Sequence, residues 1–328
     1  MVELGSGDYL YETSGEDWGN LPDDWTYKEA TAVAVDEKDN VYVFNRGTHP
    51  MVVLNSEGDV IDTWGDGQFS NPHGVTIGPD GNVYCVDNAD HTVRKYTAGG
   101  ELLMELQAGR PAPAMSGDPF STPAHLAVDA RNGNMYVADG YSNARVHKYD
   151  PDGRLLLSWG ESGTDPGQFN IVHNVVVDRE GFVYVADREN QRVQVFDADG
   201  KFETQWNDMS RVAAICMDDS DDQLVYLGEY FCGIGSNEMG TNLGPRVSIM
   251  NRQGEVLARL GNLSYGEEPG RFYSPHGIAV DSKGDIYVAE VSWSDYGTNL
   301  EPPRELRSMQ KLIKKYGVRI AEDGPHRG

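Results

Sequence analysis

The chain has 328 residues, 39% of them hydrophobic, and a formal net charge of −25. That length suits two average domains or one large all-β domain, with enough apolar residues for a sizeable core. The charge repels phosphate backbones and argues against a nucleic-acid partner. No apolar run of roughly 18 or more residues predicts a membrane-crossing helix, so no membrane partner is expected.

The opening residues, MVELGSGDYLYE, have neither a basic start nor an apolar centre, so they do not read as a secretory signal and a cytoplasmic location is expected. Cys85, Cys216 and Cys232 follow no CxxC spacing. So sparse and odd a set fits buried free thiols in a reducing compartment rather than a disulfide framework.

In chain order, DYLYET (8–13) reads as a lone strand. Six related units follow: TAVAVDEKDNVYVFN (31–45), HGVTIGPDGNVYCVD (73–87), HLAVDARNGNMYVAD (125–139), HNVVVDREGFVYVAD (173–187), AAICMDDSDDQLVYLGE (213–229) and HGIAVDSKGDIYVAE (276–290). The shared pattern is an apolar strand, a turn with Gly or Asn in all but the fifth unit, and a second strand ending on an acidic or amide residue. Most continue into a third strand, such as RVQVF (192–196), and a fourth, such as LLLSWG (155–160). Four short strands per repeat predict an all-β, six-bladed β-propeller. No linker divides the chain, so residues 1–328 are read as one domain, with blades starting near 31, 73, 124, 173, 213 and 276. The 8–13 strand is expected to complete the last blade and close the ring. The segment 292–317 reads as a long loop and then that blade's third strand, and 229–246 is an excursion that fits no repeat position.

Aligning the units on the end of the first strand places Thr31, His73, Ala124, His173, Ala213 and His276 in one layer. The histidines fall in alternate blades, about 120° apart around the channel that first strands line. Strand alternation puts His125 one step out of that register, pointing elsewhere. Three neutral imidazoles in one layer suit Zn²⁺, or another divalent metal, and leave a coordination position open, as in catalytic zinc sites. After the acidic or amide residue of each second strand come Arg46, Asn88, Gly140, Arg188, Tyr230 and Val291. Arg46 and Arg188 are candidate clamps for a carboxylate. Tyr141, one step past Gly140, is a candidate general base whose phenolate a metal and two arginines would favour. The acidic column itself, and SNARV (142–146) and ENQRV (189–193), read as scaffolding.

The units resemble NHL repeats, with ENQRVQVF the clearest instance. More narrowly, VFNRGTHP (43–50), NPHGVTIGPDGNVYCVD (71–87), VADGYSNARVHKY (137–149), GQFNIVHNVVVD (167–178), VADRENQRVQVF (185–196) and SPHGIAVD (274–281) resemble the peptidyl-α-hydroxyglycine α-amidating lyases. The resemblance implies zinc on His73, His173 and His276, Tyr141 as base, and Arg46 and Arg188 on the substrate. It does not carry over everything. The positions of the family's disulfides hold Ser142 and Val195, and its acidic residue linked to a structural calcium is Gly277.

The expected function is a zinc-dependent lyase that cleaves the C–N bond of an N-acyl hemiaminal, such as an α-hydroxyglycine, to an amide and glyoxylate or a related carbonyl acid. Its partner is a small or peptide-derived substrate carrying a carboxylate. Two alternatives stand beside it. A propeller lactonase or other hydrolase would be expected to use channel carboxylates and calcium, and a non-catalytic NHL module would bind protein.

Overall fold

The computed structural model describes residues 1–15, 18–19, 21–106, 110–231, 244–261 and 265–315. Six antiparallel sheets form a six-bladed propeller. Blades 1 to 5 each have four strands in sequence order from the channel outward. Their innermost strands are Ala30–Val35, Pro72–Ile77, His125–Val128, Val172–Val177 and Arg211–Met217. Blade 6 begins with Pro275–Val280, Ile286–Glu290 and Met309–Lys314. Tyr11–Thr13 from the N-terminus pairs with Met309–Lys314 as its fourth strand and closes the ring. The lead-in differs from expectation: Gly7–Tyr9 is a 3-10 turn, and Glu3–Leu4 adds a fifth strand outside. The segment after Glu290 contains a short helix, Ser292–Asp295, before Met309–Lys314.

Both faces of a blade are covered by its neighbours, so the middle strands are apolar on both sides. Val41–Asn45 and Val183–Asp187, for example, are buried throughout. One apolar cluster fills each of the six blade junctions; Ala127, Tyr136 and Val146 of blade 3, for instance, pack with Val175, Val185 and Phe196 of blade 4. Outermost strands have exposed stretches, as in Val60–Trp64. No helix among the described residues is long and apolar enough to cross a membrane.

In blades 2 to 6 the acidic column ties the lead-in of the innermost strand to its blade. Asp87 accepts the Ser70 and Asn71 N–H groups, Asp187 that of Asn170, and Glu290 those of Tyr273 and Ser274. These segments lie just before His73, His173 and His276, so the column fixes the backbone that delivers the histidines. Asn190 and Arg192 of the ENQRV stretch bond to Asp187, and Asn143 of SNARV to Asp139, as scaffolding.

Candidate metal centre

His73, His173 and His276 converge on the channel axis, with ring centroids 4.6 to 5.1 Å apart. One nitrogen from each lies within 4.8 Å of the others, in reach of a common ion. All three side chains are buried. What aims them is a β-bulge rather than the simple alternation the sequence suggests. Pairing with the second strand shifts register between Pro72 and Gly74, Val172 and Asn174, and Pro275 and Gly277, so each histidine is the extra, unpaired residue. Blades 1 and 5 carry the same shift around Thr31 and Ala213, so the bulge belongs to the repeat and the histidine is added to it.

The intervening blades supply the second half of the design. Nδ1 of His73 donates to the Ala124 carbonyl at 2.8 Å, that of His173 to Ala213 at 2.7 Å and that of His276 to Thr31 at 2.6 Å. A carbonyl only accepts, so Nδ1 carries the proton and each Nε2 turns a lone pair to the axis. Burial, with help from neighbouring charges, holds His73 and His173 well below the ordinary histidine range and lowers His276 to about 3. The rings are therefore neutral at pH 7. The Tyr141 hydroxyl lies 3.0 Å from His73 Nε2 and 2.8 Å from His173 Nε2. One O–H proton cannot serve both nitrogens, so the set has surplus lone pairs, as a group built to hold a cation would.

Above the tripod opens a cavity of about 510 Å³ bounded by Arg46, Tyr141, Arg188, His276 and the aromatic rings of Tyr230, Tyr273 and Tyr296. Arg46 pairs with the buried Glu29 at 2.6 Å. Arg188 bonds through Nε to Glu189 at 2.9 Å, approaches the Tyr141 hydroxyl at 3.3 Å, and lies over the Tyr141 and Tyr230 rings. Each arginine thus has the neighbouring carboxylate expected of a structural residue and still borders the cavity. Arg188 and Arg46 act to lower the Tyr141 pKa, as expected of them, while burial acts more strongly to raise it.

His125 also proves to be a channel residue. It sits one layer below the tripod with Asn174, and its Nδ1 and the Asn174 Oδ1 are enclosed without a hydrogen-bond partner. At Gly277 an added Cβ would lie 2.6 Å from Ala32 Cα, so blade packing leaves no room there for an acidic side chain. Cys85 and Cys216 are free thiols, whereas Cys232 and positions 232–243 of the expected excursion lie outside the described residues. Glu29, Arg211, Tyr230 and Asp295 were missed as site residues. Tyr230 stands in the same column as Arg46 and Arg188, a legible signal; Asp295 follows an irregular stretch with no repeat partner.

Fold and site together define a six-bladed β-propeller with a three-histidine group that could hold a metal. The NHL repeat model matches residues 69–96, 169–196 and 272–294, the segments that contain the three histidines. By sequence the chain is similar to a peptidyl-glycine α-amidating monooxygenase of Xenopus laevis, 29% identical over 90% of this chain and 34% of that protein. It is also similar to peptidyl-α-hydroxyglycine α-amidating lyase 1 of Drosophila melanogaster, 32% identical over 72% of this chain and 45% of that protein. The chain spans about a third of the length of the monooxygenase relatives it matches. In fold it resembles an inactive variant of virginiamycin B lyase from Staphylococcus aureus, with a TM-score of 0.57 at 14% identity over 92% of this chain and 98% of that one.

Proposed function

We propose that this protein is a metal-dependent lyase that breaks the C–N bond of an N-acyl hemiaminal of the α-hydroxyglycine type. The observation that carries the reading is the tripod: three Nε2 lone pairs oriented by carbonyls of the next blades, beneath a cavity holding a tyrosine and arginines. The relatives named as amidating lyases support the same chemistry.

Three neutral imidazoles favour zinc, which when bound supplies Lewis acidity to the substrate hydroxyl. The remaining roles fall to the chain. Tyr141 takes the hydroxyl proton from its place between His73, His173 and Arg188. The electron pair left on that oxygen forms the new C=O bond as the C–N bond breaks, and the nitrogen, taking the bond pair and the proton returned from Tyr141, leaves as an amide. Arg188 binds the carboxylate, and Arg46, held by Glu29, joins it in favouring the ionised tyrosine. Tyr230, Tyr273 and Tyr296 wall the cavity and displace water around the acyl group.

The test supplies α-hydroxyhippurate to zinc-loaded protein and follows glyoxylate. Release that disappears, together with the bound zinc, in His173→Ala is the expected result. Zinc bound at full stoichiometry without glyoxylate release would remove the lyase reading.

A further inference from the structure

The cavity above the tripod is electrically two-ended. Where blades 4 and 5 meet, Arg188 and Arg211 share one carboxylate. Glu189 accepts Arg188 Nε at 2.9 Å and Arg211 Nε at 3.0 Å, and a second Arg211 nitrogen bonds to it as well. Both guanidiniums lie over the Tyr230 ring, at 5.7 and 5.6 Å. Two guanidiniums against one carboxylate leave an excess positive charge at this edge.

Where blades 6 and 1 meet the balance is opposite. Arg46 is matched by Glu29 at 2.6 Å, and Glu29 also accepts the Ser294 N–H and hydroxyl. The next residue, Asp295, opens its carboxylate into the cavity. Its partner is the Ser274 hydroxyl, at 2.6 Å, and among the described residues it makes no ion pair. Burial, with the nearby Glu29, raises its pKa above the ordinary carboxylate range against the Ser274 hydrogen bond and the more distant Arg188 and Arg211 charges, a cost that a cationic partner in contact would reverse.

Resting on the lyase reading, we propose that the substrate is doubly charged: its carboxylate lies on Arg188 and Arg211, and its acyl group carries an ammonium that meets Asp295. Connectivity supports this orientation. In an α-hydroxyglycine the hydroxyl and the carboxylate share one carbon, and Arg188 lies 3.3 Å from the Tyr141 hydroxyl, so a hydroxyl at Tyr141 brings the carboxylate to Arg188. The acyl end then extends to the other side, where Asp295 waits. An aminoacyl group with a free amine has the required charge, and an N-acetylated one does not. Attraction at one pole, and at the other a cavity-lining carboxylate left without an ion-pair partner when the amine is absent, make this a discrimination between substrates rather than a general gain in affinity.

The experiment measures binding by calorimetry, independent of turnover, with zinc-loaded protein and two unreactive dipeptides, phenylalanylglycine and its N-acetyl derivative. The expected result is at least about tenfold tighter binding of the free amine by the wild-type protein, falling to within about twofold for Asp295→Asn. Equal binding of the two by wild type, no binding of either, or a preference that survives in Asp295→Asn overturns the proposal. The wild-type comparison stands even if the variant misfolds. If the free amine is preferred but no aminoacyl α-hydroxyglycine releases glyoxylate, the charge assignment stands and the lyase reading falls.

Discussion

Tyr141 and His125 show how the same channel treats two titratable groups. Tyr141 touches two tripod histidines and Arg188, so its hydroxyl is the proton acceptor nearest the candidate metal position. Tyr141→Phe is expected to keep the zinc content and to lower kcat for glyoxylate release by about 10²- to 10⁴-fold, the usual worth of a positioned base. Retention of wild-type kcat would remove Tyr141 from that role. His125 lies below the tripod, and burial lowers its pKa to about 4 from 6.5. Between those values the unfolded chain binds a proton there and the native protein does not. Its contribution therefore holds above pH 6.5 and is lost as pH falls towards 4, by up to about 3 kcal/mol. Urea unfolding of wild type and His125→Gln at pH 7 and pH 4 checks this: the wild type should lose more stability on acidification than the variant.

At the scale of the element, the site depends on backbones that approach closely. A Cβ on Gly140 would overlap the backbone of Val172, the residue before His173. The glycine lets blade 3 lay the DGY turn against the blade 4 strand, which brings Tyr141 to His173. Gly140→Ala is expected to destabilise the protein by at least about 2 kcal/mol, because the clash is with backbone rather than a mobile side chain, and to cut kcat more than zinc content. Denaturation and metal analysis of the same sample distinguish the two effects. The bulge that aims each histidine is a comparable device, made where the acidic column grips the preceding segment.

For the whole molecule, the closure of blade 6 is the vulnerable seam, since that blade draws its fourth strand from the N-terminus. Tyr11 is fully buried and Leu4 nearly so, packed with side chains of blades 5 and 6. Removing residues 1–13 should expose the edge of Met309–Lys314, lower Tm by at least about 5 °C and promote association, measurable by calorimetry and light scattering. An unchanged Tm and a monodisperse sample would show that the ring does not need that strand.

Much of this was legible in the sequence because repetition is local. The six VYV-type strands, the turns between them and the alternate placement of His73, His173 and His276 are visible by aligning the chain with itself. By itself the sequence determined the six-bladed, all-β ring and the layer in which the histidines lie, since both follow from periodic patterns. Only the tertiary structure decided the bulge under each histidine, the carbonyls of Ala124, Ala213 and Thr31 that set their tautomers, the channel position of His125, and the opposed charges of Arg211 and Asp295. These are contacts between blades or with an irregular segment. A pattern along one strand carries no information about which atoms the closing of the ring brings face to face.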